Sequence, residues 1–133
     1  MKVLIVDDNR DIVDSLSFSL KKEGFNVFCL YDGYSAVEYV NNNHCDLIIM
    51  DIDMPKLDGI SALKDIKKKT NIPVFIISER INEFDILFAY ESGCTDYIRK
   101  PLIIKEIIFK IKNYFNKTNL KIHKYGGLEI DSL

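Results

Sequence analysis

The chain has 133 residues, 47% of them apolar and 29% charged, with a formal net charge of −2. That balance fits one globular domain burying roughly two thirds of its unfolded surface, and it argues against disorder. The weak negative charge argues against nucleic-acid binding by this segment alone, and no run approaches the roughly 20 apolar residues of a membrane span.

Met1-Lys2 leads directly into an apolar run, Val3-Leu4-Ile5-Val6, rather than a signal peptide, so a cytoplasmic location is expected. The run ends in Asp7-Asp8. Ile12, Val13, Leu16 and Leu20 then share one face of a helix that Gly24 can close. A strand over Asn26 to Leu30 precedes a helix from about Gly33 to Val40, carrying Ala36, Val37 and Val40. The strand from Asp46 to Met50 ends in Asp51, and a loop with Pro55 and Gly59 leads to a helix bearing Ile60, Leu63 and Ile66. Val74-Phe75-Ile76-Ile77 ends in Ser78 and is followed by a helix that closes near Gly93. A short strand, Asp96 to Ile98, runs into Arg99-Lys100-Pro101, and Ile104, Ile107, Ile108, Ile111 and Phe115 share a face of the last helix.

Five alternations of this length predict a doubly wound α/β domain. Continuous apolar runs predict strands buried on both faces, as in a parallel sheet. Ligands of such sheets bind beyond the carboxyl ends of the strands, which is where Asp7, Asp8, Asp51, Ser78 and Lys100 fall.

The helical pattern stops at Asn116. Residues 117–124 are polar and basic, and Tyr125-Gly126-Gly127-Leu128-Glu129-Ile130-Asp131 alternates apolar and polar residues. It reads either as a strand without its partners or as a tail. The expected organisation is a domain over 1–116 and a linker with a first strand over 117–133. Cys29, Cys45 and Cys94 have no metal-like spacing and read as reduced, partly buried thiols. His44 and His123 lie far apart and do not point to a metal site.

Three carboxylates gathered at adjacent strand ends repel and raise a pKa unless a cation compensates. A hard divalent ion such as Mg²⁺ meets that need and leaves positions for water and phosphate. Lys100 and the Ser78 hydroxyl would then address phosphoryl oxygens. The set reads as a phosphoryl-transfer site with an aspartate nucleophile. Each residue alone also has a structural reading: Asp7-Asp8 or Ser78 as helix caps, Asp51 as turn chemistry, Lys100-Pro101 as a loop.

The combination Leu4-Ile5-Val6-Asp7-Asp8-Asn9, Asp46 to Gly59, Ser78, and Gly93 to Pro101 resembles the CheY-like receiver domain of two-component response regulators. The resemblance spans about residues 2–116. It implies a flavodoxin-like (βα)5 fold with a five-stranded parallel sheet in the order 2-1-3-4-5. It also implies that Asp51 accepts a phosphoryl group from a sensor histidine kinase, so that the domain assists its own phosphorylation and dephosphorylation without being a conventional enzyme. Mg²⁺ would sit on Asp8, Asp51 and the backbone carbonyl of Asp53, with Asp7 acting through water. Lys100 would contact the carboxylate and phosphoryl group, Ser78 would turn toward a phosphoryl oxygen, and Tyr97 would move inward behind it.

Glu79 stands where the family usually has a small residue, so slower phosphorylation is expected. Asp53 and Arg80 flank the pocket. Phe84, Ile86, Leu87, Phe88 and Tyr90 surround most of the fourth helix, and Phe109 lies opposite the isoleucine stripe of the fifth. Within the subfamily resembling OmpR and PhoB, the fourth helix, fifth strand and fifth helix form a homodimer face, here with Ile86 at a position usually basic. Glu91, Asp96 and Lys110 could retain part of its charged set. The segment Tyr125 to Asp131 resembles the opening strand of that subfamily's winged-helix domain, so DNA would be bound only by a C-terminal domain absent from this chain. A Mg²⁺-dependent phosphohydrolase also fits Asp51 with Asp53, but the chain has no residues for a substrate-covering domain. A flavin-binding domain is disfavoured by the acidic loop after Val6, and a degenerate receiver by the complete Asp7, Asp8, Asp51, Ser78 and Lys100 set.

Overall fold

The computed structural model describes the backbone of residues 1–125 and the side chains of residues 1–116. Strands and helices alternate as β1 (Lys2–Val6), α1 (Arg10–Lys22), β2 (Asn26–Leu30), α2 (Gly33–Asn42), β3 (Leu47–Asp51), α3 (Gly59–Lys69), β4 (Val74–Ser78), α4 (Glu83–Glu91), β5 (Asp96–Arg99) and α5 (Ile104–Tyr125). The strands form one parallel sheet in the order β2-β1-β3-β4-β5. This is the expected flavodoxin-like topology.

The strand order reverses at β1, which lies between β2 and β3. A crevice opens at such a reversal because the two flanking connections leave in opposite directions. The register fixes what meets there: Val6 lies opposite Met50, Asp51 opposite Ile77, and Ser78 opposite Arg99. Asp7, Asp51, Ser78 and Lys100 therefore leave the sheet at the same end.

Burial on both faces holds for β3 and β4, all of whose residues are buried, and for β1 apart from Lys2. In β2, Asn26 and Phe28 are exposed and the rest half-buried. As an edge strand, β2 is shielded on fewer sides, and Phe28 stacks on Tyr39 at 4.9 Å instead of entering the core. The central cluster joins Leu4, Val6, Ile48, Met50 and Ile76 of the sheet to Leu63 and Ile66 of α3 and Ala89 of α4.

Side-chain caps start four helices. Asn9, Asp32, Asp58 and Asn82 accept N–H groups of the first turns of α1, α2, α3 and α4. The cap of α1 is thus Asn9, not the Asp7-Asp8 pair, and Ser78 caps nothing. Gly24, at φ 94°, closes α1 as expected. Cys45 and Cys94 are buried, Cys29 is half-buried, and none is in a disulfide. His44 pairs with Asp46 at the opposite ends of the strands from the acidic residues.

The helix α4 does not have a single apolar side. Ala89 is buried and Ile86 packs partly against the core, whereas Phe84 (79%), Leu87 (54%), Phe88 and Tyr90 are exposed. The last helix falls in a second unit that begins at Ile103. Ile107 and Ile111 are buried and Phe109 is exposed. This helix continues past Asn116 to Tyr125, beyond the point where the apolar period ends. The expected strand over Tyr125 to Asp131 lies, after its first residue, outside the described residues. Among the described residues no helix is long and apolar enough to cross a membrane.

Candidate functional site

The loop after β1 turns back on itself because the Asp7 carboxylate accepts the Asn9 N–H at 2.9 Å, while Asn9 starts α1. Asp7 is fully buried, and Asp8 projects into solvent. Asp51, at the end of β3, is only 3% exposed and accepts the Asp53 N–H at 3.1 Å. Ligand oxygens of Asp7, Asp8 and Asp51 all lie within 4.8 Å of one another.

Close approach at this end of the sheet also needs a residue without a side chain. A Cβ on Gly59 would strike the Asp51 carbonyl oxygen and the Ile52 Cα, because the Gly59 N–H donates to the Ile52 carbonyl at 3.0 Å. The glycine at the start of α3 thereby lets that helix press against the backbone that carries Asp51.

Lys100 bridges the two buried carboxylates. Its Nζ lies 3.1 Å from Asp7 Oδ2 and 3.4 Å from Asp51 Oδ2, and its side chain is 10% exposed. Burial opposes its charge, but Asp51 and Asp7 together overcome that effect and raise its pKa. The carboxyl of Asp51 is pushed up to about 6, chiefly by burial, with Asp7 adding and the Asp53 N–H and Lys100 opposing. One ammonium thus does not neutralise the cluster, whose oxygens match a hard divalent cation in type and spacing.

Ser78 is fully buried at the end of β4. Its Oγ accepts the Arg80 N–H at 2.9 Å and reaches Asp53 Oδ2 at 3.5 Å. The Arg80 guanidinium pairs with Asp53 and lies 3.9 Å from Asp85. Its pKa is raised, first by the hydrogen bond to Asp53. Tyr97 is already buried, at 8% exposure, and its hydroxyl donates to the Arg80 carbonyl at 2.9 Å. Glu79 is exposed.

The structure thus brings Asp7, Asp8, Asp51 and Lys100 into direct proximity, and links Ser78, Asp53 and Tyr97 to one another through Arg80. Two features escape the sequence: the grip of Lys100 on Asp7, 93 residues away, and the dual pairing of Arg80. Only the spacing of Asp53 and Arg80 from strand ends hinted at the second.

Response regulator receiver domains match residues 3–112 of this chain. The chain belongs to that family. Phosphorylation on an aspartate and Mg²⁺ binding at an acidic pocket are general to it, and its members interact with histidine kinases and phosphotransfer partners. Among solved structures, the chain is similar to the Francisella response regulator 1452 receiver domain, with 34% identity, 88% of this chain and 98% of that one covered, and a TM-score of 0.83. A two-component response regulator from Clostridium difficile is 28% identical, with 90% and 98% covered and a TM-score of 0.86. A chain of the CheX–CheY complex from Borrelia burgdorferi, which contains BeF3 and Mg²⁺, is 34% identical, with 86% and 89% covered and a TM-score of 0.80.

Proposed function

We propose that this receiver accepts a phosphoryl group on Asp51 from a sensor histidine kinase in a Mg²⁺-dependent reaction. The supporting observation is a buried carboxylate, Asp51, placed between a buried lysine and two further carboxylates. An Asp51 oxygen forms the new bond to phosphorus as the phosphohistidine P–N bond breaks, its electron pair leaving with the imidazole nitrogen. Lys100 offsets charge on the Asp51 carboxylate, and Ser78 supplies a hydroxyl for a phosphoryl oxygen. Asp8, Asp51 and the Asp53 carbonyl would hold Mg²⁺ directly and Asp7 would hold it through water. When bound, the ion offsets the carboxylates and orients phosphoryl oxygens.

Incubation with Mg²⁺ and acetyl phosphate, followed by intact-mass measurement, is expected to give one phosphoryl adduct on wild type and none on Asp51→Asn. An undiminished adduct on the variant would overturn the assignment.

The reading extends to output. This receiver is the regulatory part, residues 1–116, of an OmpR/PhoB-type cytoplasmic transcription factor, in which residues 117–133 lead toward a C-terminal DNA-binding domain. Ser78 and Tyr97 carry the switch, and phosphorylation favours a homodimer through the fourth helix, fifth strand and fifth helix. Exposure of Phe84 and Leu87 on α4 supports a face more apolar than usual. In sedimentation with Mg²⁺ and beryllofluoride, wild type should dimerise, and Phe84→Ser with Leu87→Ser should remain monomeric. A wild-type monomer at high concentration would refute that interface.

A further inference from the structure

Arg80 is fixed by its backbone and leaves its side chain free to exchange partners. Its N–H donates to Ser78 Oγ and its carbonyl accepts from the Tyr97 hydroxyl, each at 2.9 Å. The guanidinium reaches carboxylates on two different elements, Asp53 in the loop after β3 and Asp85 in the first turn of α4. Asp53 donates its N–H to Asp51. Asp85 accepts from Asn82 Nδ2 at 2.8 Å and donates its own N–H to Asn82 Oδ1 at 2.9 Å, so it is part of the α4 cap. One side chain therefore joins the loop that holds Asp51 to the start of α4.

We propose that Arg80 couples the state of Asp51 to α4, by releasing Asp85 when a phosphoryl group forms on Asp51. The inference rests on the phosphoacceptor reading of Asp51. A phosphoryl group there adds charge and three strong acceptor oxygens beside the loop that carries Asp53. A guanidinium is a planar donor fork that suits a phosphoryl group better than two separate carboxylates. Its present pairs are exchangeable: the Arg80 and Asp53 side chains are 49% and 41% exposed, and exposed ion pairs are individually weak. Lys100, enclosed by Asp7 and Asp51 at 10% exposure, has no such freedom. When Arg80 turns to the phosphoryl group, Asp85 keeps only its bonds within the cap. The first turn of α4 then opens more easily, because it has lost the ion pair that tied it to Arg80.

The test is amide hydrogen exchange by NMR at Asp85 and Ile86, whose N–H groups bond Asn82, together with ¹⁹F detection of bound beryllofluoride. Wild type, Arg80→Gln and Asp85→Asn are compared with and without Mg²⁺ and beryllofluoride. In wild type the ligand should speed exchange at these two amides about threefold, the scale of one exposed ion pair. Both variants should exchange at the faster rate from the outset and show no further change, although all three bind beryllofluoride. If Arg80→Gln binds the ligand and keeps the full exchange response, the coupling is overturned and the phosphoacceptor reading stands. Equal acceleration of α1 amides in the variants would also overturn it, since the effect would be global. No bound ¹⁹F signal on wild type would overturn both.

Discussion

Replacing Asp51 by asparagine should stabilise the metal-free domain at neutral pH, although it abolishes the proposed chemistry. Burial lifts the Asp51 carboxyl from 3.8 to about 6, against the opposing Asp53 N–H and Lys100. A carboxyl whose pKa rises on folding keeps a proton that the unfolded chain has already released. Stability therefore falls as pH rises from about 4 to about 6 and stays lower above that window. At 1.36 kcal/mol per pH unit, the full cost to the folded state is about 3 kcal/mol at pH 7. Asparagine has no charge to desolvate, and its amide oxygen can still accept the Asp53 N–H. Lys100 loses one of its two carboxylate partners but keeps Asp7 at 3.1 Å, which offsets part of the gain. Asp51→Asn is thus expected to be more stable than wild type by about 1–3 kcal/mol at pH 7. Urea denaturation in the presence of a chelator should show this advantage shrinking steadily between about pH 6 and pH 4. Added Mg²⁺ should then favour wild type, because ligation stabilises only the chain that binds it. A metal-free wild type more stable at pH 7, or a difference that ignores pH, would refute the reasoning.

Lys100→Met should destabilise the domain by about 3 kcal/mol at pH 7, because two buried carboxylates lose their cation; urea midpoints with and without Mg²⁺ would measure this loss and its partial rescue. Gly59→Ala places a Cβ against the Asp51 carbonyl and Ile52 Cα, so a loss of about 2 kcal/mol or more is expected, and an unchanged Tm would refute the close approach. Glu79→Ala should speed adduct formation with acetyl phosphate by removing an exposed acid beside Ser78, and an unchanged rate would show that Glu79 does not hinder the donor.

The sequence carried the sheet because its evidence is local. Val3 to Val6, Leu47 to Met50 and Val74 to Ile77 are apolar without interruption, and parallel strands buried on both faces leave no room for any other pattern. The acidic residues and Lys100 were legible for a related reason, since each ends such a run and parallel strands deliver their ends to one edge. The limits of the sequence are as physical. The exposure of Phe28 and its stacking on Tyr39 follow from the edge position of β2, which the residues of that strand do not themselves encode. The last helix outran its apolar period, since backbone hydrogen bonds continue without an apolar face. The α4 aromatics could be sorted into Ile86 and Ala89 within and Phe84 and Leu87 without only by placing the helix on the core.

Residue identity at the strand ends, then, was a property of the sequence alone: three carboxylates, a serine and a lysine of the right chemistry. Partner choice among them belonged to the tertiary structure. Lys100 spans Asp7 and Asp51, and Arg80 spans Asp53 and Asp85, because the register brings distant segments within 4 Å. Charge interactions act over ångströms of space, not positions along a chain, so only the folded geometry could decide which cation meets which carboxylate.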